Sequence, residues 1–171
     1  MKNRKKGEIN RLELCMPAIS ENEAQARVAV AAFCAQLNPD AGELEDIKCA
    51  VSEAVTNCIV HAYRQGKGNI YITVNLFVDG YVRIAVRDTG CGIANVEEAR
   101  KPLFTTGEVG ERSGMGFTVM ENFMDSLTLT SKLGKGTLVV LGKRIKEVID
   151  VGKDNPQGTP LPAAAASAIR G

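Results

Sequence analysis

The chain holds one histidine, His61, and no CxxC pair. Its five cysteines, Cys15, Cys34, Cys49, Cys58 and Cys91, are odd in number, and four of them sit among apolar residues. That inventory argues against a disulfide framework and against a metal centre of the zinc type. It predicts reduced, mostly buried thiols in a cytoplasmic protein. A charge excess is also missing: the formal net charge is +1, which gives no electrostatic case for nucleic acid or a membrane surface. No apolar run approaches the ~18 residues of a membrane span. The longest, Val28 to Ala35, stops at Gln36. The basic start, Lys2 to Lys6, runs into Gly-Glu-Ile-Asn-Arg rather than an apolar segment, so no signal peptide is read.

What remains is an ordinary globular composition, 44% hydrophobic and 24% charged, in 171 residues. That length suffices for one domain with its own core. Residues 8–16 alternate as a strand. Ser20 and Glu23 fit a capping box, predicting a helix through about Leu37. Asn38-Pro39-Asp40 breaks it, and a longer helix follows from about Gly42 to Tyr63. The apolar period then changes from helical to alternating. Residues 69–79 and 81–88 read as a hairpin about Asp79-Gly80. Residues 89–113 are polar and glycine-rich, with one short helix near Val96–Arg100. Gly116 to Asp125 reads as a helix, and 126–132 with 136–145 as a second hairpin. The expected fold class is α+β, a two-layer sandwich of helices on one face of a mixed, mainly antiparallel sheet. The expected organisation is a basic tail over 1–7, one domain over 8–145, and a disordered Gly/Pro/Ala-rich tail over 146–171.

Three stretches carry chemistry. In SEAVTNCIVHAY (52–63), Glu53, Asn57 and His61 fall at steps of four. On an α-helix they form a line ~12 Å long beside the apolar stripe. A carboxylate and an amide so placed suit a reacting hydroxyl and a hydrated Mg²⁺. In RDTGCGI (87–93), Asp88 ends a strand before Gly90 and Gly92, and a fixed carboxylate can accept from an exocyclic amine. In ERSGMGF (111–117), Gly114 and Gly116 precede a helix whose free N–H groups would meet an anion, with Arg112 adding charge. Taken singly, each has a structural explanation: a polar helix boundary with a hydrogen-bonded core histidine, a strand-to-loop turn, and a glycine-rich helix start. The P-loop pattern is absent.

Together and in this order, the three resemble the N box and two glycine boxes of the GHKL (Bergerat-fold) ATP-binding family, with KGT at 135–137 similar to its late strand signature. Within that family, ENEAQARVAVAAF, EEARKPLFTT and ERSGMGFTVMENFMD resemble the sigma-factor-binding serine-protein kinases of spore-forming bacteria, over about residues 8–145. The resemblance implies ATP and Mg²⁺ as cofactors. It implies Glu53 as general base, Asn57 as metal ligand, Asp88 with Gly90 and Gly92 on the adenine, and Thr137 supporting Asp88. It assigns Arg112, Ser113, Gly114, Met115, Gly116 and Phe117 to the phosphate end of a lid over about 101–113. Thr105 and Thr106 belong to the same lid, and His61 lies near the nucleotide. Gly107 and Gly110 stand where a Lys-Pro pair is expected. Arg27 matches a surface arginine that contacts partners. The implied partners are a sporulation sigma factor of the sigma F type, an antagonist protein whose serine is phosphorylated, and a second copy paired along strand 8–16.

Two neighbouring readings are a stress-response kinase of the sigma B type and a nucleotide-gated binding module without kinase activity. Glu53 argues against the second, because a pure binder needs no base. A histidine-kinase domain is disfavoured, because the one histidine lies inside the nucleotide motif.

Overall fold

A computed structural model of the protein describes residues 6–63, 67–100 and 115–146. Strand β1 (Glu8–Pro17) is followed by helix α1 (Glu21–Cys34), which tightens into a 3₁₀ turn over Ala35–Leu37. Asn38 stops this unit in the left-handed region, at φ 50 and ψ 50. Helix α2 (Ala41–Asn57) continues into a π-helical turn, Cys58–Ala62. Strands β2 (Asn69–Phe77) and β3 (Tyr81–Arg87) form a hairpin, and α3 (Val96–Ala99) is one short turn. Helix α4 (Gly116–Phe123), β4 (Ser126–Lys132) and β5 (Gly136–Arg144) follow.

The sheet order is β1-β2-β3-β5-β4. All four pairings are antiparallel, so the parallel component expected of a mixed sheet is not found among the described strands. Register aligns one apolar row across the sheet: Leu12 opposite Val74, Val74 opposite Ile84, Ile84 opposite Leu141, and Leu141 opposite Leu127. Because strand side chains alternate, this row and its neighbours two residues away share a face. Helices α1, α2 and α4 pack on it through Val30, Ile47, Val51, Val55 and Met120, each fully buried. At roughly 1.5–3 kcal/mol per buried aliphatic side chain, this layer outweighs any single cap in holding the helices. The two-layer α+β architecture is the expected one.

Two local expectations are corrected. Ser20 makes no side-chain cap: its own φ and ψ (−59, −34) are already helical, and Glu23 accepts from Arg27 Nε at 3.1 Å instead. The capping box forms one helix later. Asp40, extended at ψ 170, accepts from Glu43 N at 2.7 Å, and Glu43 Oε2 accepts from Asp40 N at 3.1 Å. The thiols are also less sheltered than expected. Cys34 and Cys58 are buried, Cys49 and Cys91 intermediate, and Cys15 exposed, all of them free. Cys15 alternates with Leu14 and Met16, so it points away from the helix layer. Among the described residues no helix is long and apolar enough to cross a membrane.

Candidate functional site

Glu53 and Asn57 lie one turn apart on α2, each half-buried at the border of its apolar stripe. Helix α4 packs against α2 and brings its first residue, Gly116, over this pair. A Cβ there would stand 3.0 Å from Glu53 Oε2 and 3.5 Å from Asn57 Oδ1. The absent side chain leaves the first N–H groups of α4 close to a carboxylate and an amide. Met115 caps the helix from outside, 41% exposed, and its carbonyl accepts from Val119 N at 2.8 Å. Phe117 packs partly against the core.

His61 does not continue the line. From Cys58 the winding is i→i+5, so four residues no longer complete a turn, and His61 is exposed. The same π turn serves the next motif. Ala62 O accepts from Cys91 N at 2.7 Å, and His61 O accepts from Cys91 Sγ at 3.2 Å. Gly90 lies so close to this turn that a Cβ would be 2.1 Å from Ala62 O. Gly92, at φ +70, would place one 2.2 Å from Lys132 O. Both glycines are therefore required by backbone packing.

Asp88, 4% exposed, sits just past the end of β3. Its Oδ1 accepts from Gly90 N at 2.8 Å and from Thr137 N at 3.2 Å. Thr137 thus supports Asp88 through its main chain. Its hydroxyl lies 2.9 Å from Ser131 Oγ, which donates to Gly136 O and accepts from Ile93 N. Asp88 Oδ2 receives the Cys58 thiol at 3.8 Å. Burial first, and the Asp88 charge and hydrogen bond after it, push the Cys58 pKa up, so the thiol keeps the proton it donates. Cys58 was not singled out in the sequence. Its only signal there is its position next to Asn57 on the buried side of the same helix.

An open groove of about 290 Å³ leads to Glu53, lined by Arg27, Lys48, Ser52, Val119 and Phe123 among others. Arg27 is thus brought to the rim of the same site. A second cleft, about 380 Å³, lies at the other end of β3 against Phe77, Tyr81 and Arg144, and contains none of the expected site residues. Thr105, Thr106, Arg112, Ser113 and Gly114 lie outside the described residues. Just before and after that stretch, Arg100 Nε donates to Glu121 Oε1 at 2.9 Å, tying α3 to α4.

A carboxylate and amide thus lie beneath a helix start, with a buried aspartate on a glycine loop of the same sandwich, and the match of the whole domain is to an ATPase class. The family model described as the histidine kinase-like ATPase domain matches residues 16–143. The chain is 55% identical over 137 residues to the anti-sigma F factor of Geobacillus sp. (strain WCH70), covering 80% of this chain and 93% of that one. It is 52% identical over 139 residues to that of Bacillus licheniformis, covering 81% and 94%. The chain belongs to the anti-sigma F factor family. The structure of the RsbU and RsbW domains of Rv1364c from Mycobacterium tuberculosis matches with a TM-score of 0.59 at 22% identity. That match spans 80% of this chain and 32% of the other, and shows the fold.

Proposed function

We propose that the chain is an ATP-dependent protein serine kinase that also holds a sigma factor. Its second partner is an antagonist protein whose serine it phosphorylates. The observation that carries this reading is Gly116, at the start of α4, directly over Glu53 and Asn57. Phosphoryl transfer depends on positioning and charge neutralisation, and a helix N-terminus beside a carboxylate carried on a packed helix suits both.

Glu53 takes the proton from the serine hydroxyl as its oxygen attacks the γ-phosphorus and the bond to the β-phosphate oxygen breaks, releasing ADP. The N–H groups at the start of α4, around Met115, Gly116 and Phe117, receive phosphate oxygens. Arg112, Ser113 and Gly114 complete that cradle by resemblance, with Thr105 and Thr106 in the lid. Asp88 accepts from the adenine amine, held by Thr137 N and Gly90 N. Asn57 fits Mg²⁺ through its amide oxygen, because this ion keeps several waters and takes phosphate oxygens for the rest of its shell. When bound, Mg²⁺ neutralises charge on the phosphates.

The relatives' name, anti-sigma F factor, supports a sigma factor of that type as partner. Arg27, on the rim of the groove that ends at Glu53, is the partner contact. β1 is an edge strand, which supports pairing with a second copy.

The test is transfer of labelled γ-phosphate from Mg·ATP to the antagonist, for wild type and Glu53→Gln side by side. Wild type should phosphorylate serine, and Glu53→Gln should bind nucleotide without transfer. Transfer by Glu53→Gln at the wild-type rate removes Glu53 as base. Tight binding with no transfer by either protein leaves a nucleotide-gated sigma binder.

A further inference from the structure

Tyr63 ends the π turn and is half-buried. Its hydroxyl donates to Asn69 O at 2.6 Å, at the first residue of β2. It accepts from Thr89 N at 3.0 Å and lies 3.3 Å from Thr89 Oγ1. A phenol has one proton to give and two lone pairs to receive, so these three contacts use its full capacity. The ring is equally constrained. It passes so close to Gly68 that a Cβ there would stand 2.0 Å from Tyr63 Cε1.

Thr89 is the residue between Asp88 and Gly90. Asp88 is held from the far side by Thr137 N, and Gly90 by its packing on Ala62. Between them, the Thr89 main-chain N–H points to Tyr63. Main-chain pairing with β5 ends at Asp88, whose N–H donates to Thr137 O at 3.0 Å, so Tyr63 takes over the backbone one residue later, within the turn whose Gly90 N–H donates to the Asp88 carboxylate at 2.8 Å.

We infer that Tyr63 is a positioning residue for base recognition: its hydroxyl fixes the Asp88–Thr89–Gly90 loop and so aims Asp88 at the adenine amine. This rests on the nucleotide reading of the site and adds to it a residue outside the three motif glycine and carboxylate positions. A purely structural Tyr63 would weaken all nucleotides alike. A positioning Tyr63 weakens only what Asp88 reads.

The experiment compares the affinities of the full chain for ADP and for purine riboside diphosphate, which lacks the 6-amino group, by calorimetry. Tyr63→Phe keeps the ring against Gly68 and removes the hydroxyl. Its affinity for ADP should fall about ten-fold, and for the amine-free nucleotide less than about three-fold, on the usual scale of one or two hydrogen bonds. Thr89→Val removes only the 3.3 Å contact and should shift the same ratio in the same direction, by less. It decides the matter should Tyr63→Phe fail to fold. Equal losses for both nucleotides, or no loss for ADP, overturn the inference. A wild-type chain that binds the two nucleotides alike overturns the adenine reading of Asp88 itself, and the role of Tyr63 with it.

Discussion

Gly116 meets Glu53 across the packed faces of α4 and α2, and a Cβ at position 116 would come to 3.0 Å from Glu53 Oε2. Real Cβ atoms rarely come so near, and the neighbour that must give is the proposed base. Gly116→Ala should therefore separate activity from stability. Gly116 has no positive φ, so alanine should stabilise by roughly 0.4–1 kcal/mol through a less flexible unfolded chain, and the melting temperature should hold or rise. Phosphoryl transfer should fall on the order of ten- to a hundred-fold, the usual cost of misplacing a reacting group. Thermal melts and labelled transfer on one preparation check both halves. Full activity in the alanine variant would detach Gly116 from the chemistry.

Asp88→Asn keeps an oxygen for Gly90 N and Thr137 N but replaces an acceptor with an NH₂ group. ADP affinity should drop roughly ten- to a hundred-fold, as expected for a hydrogen bond to a charged group. Calorimetric titration reads it directly. Unchanged affinity would mean that the base is read elsewhere.

The two candidate caps should behave differently. Asp40→Ala removes a side chain that accepts from Glu43 N at 2.7 Å, and should cost about 1 kcal/mol in urea unfolding. Ser20→Ala removes no cap bond and should stay within about 0.5 kcal/mol. The reverse order would contradict the observed helix starts.

Burial pushes the Cys34 thiol up from 9.0 to about 12. A raised folded pKa means that the native state keeps a proton which the unfolded chain gives up. The stability this represents is complete below pH 9 and is lost as pH rises from 9 toward 12. Unfolding free energy should decline there by up to about 1.4 kcal/mol per pH unit for this thiol, and Cys34→Ala should flatten that part of the decline. At pH 8, alkylation of the native protein should mark exposed Cys15 ahead of buried Cys34 and Cys58.

Most of the secondary structure was legible in the sequence because two strong periodicities alternate along it. Val74, Ile84 and Leu141 announce their strands by alternation, and Asn38-Pro39 its break by backbone preference. Glu53 and Asn57 stood out as polar residues beside an apolar stripe, and Asp88 as a carboxylate at a strand end before Gly90 and Gly92. What was not legible depends on contacts between elements. Ser20 and Asp40 both precede a glutamate by three, and only the backbone angles decide which one caps. His61 fell out of line because the winding changes at Cys58, and no local preference of Cys-Ile-Val-His marks an i→i+5 turn. Gly116 over Glu53 follows from how α4 docks, and Tyr63 from the closeness of Thr89 and Asn69.

The sheet order has a consequence for synthesis. β5, the last of the described strands to leave the ribosome, is not an edge: it lies between β3 and β4. One of the two N–H groups that hold Asp88 Oδ1 belongs to Thr137, on that strand, and so does the carbonyl that accepts from Asp88 N. A nascent chain that already carries Glu53, Asn57, Asp88 and Gly116 still lacks the central strand of one half of the sheet and the Thr137 bonds to Asp88. Since chains emerge N-terminus first, nucleotide binding should begin only after β5 has emerged and inserted. A stalled translation product ending before Gly136 would have every motif but the last and no working site.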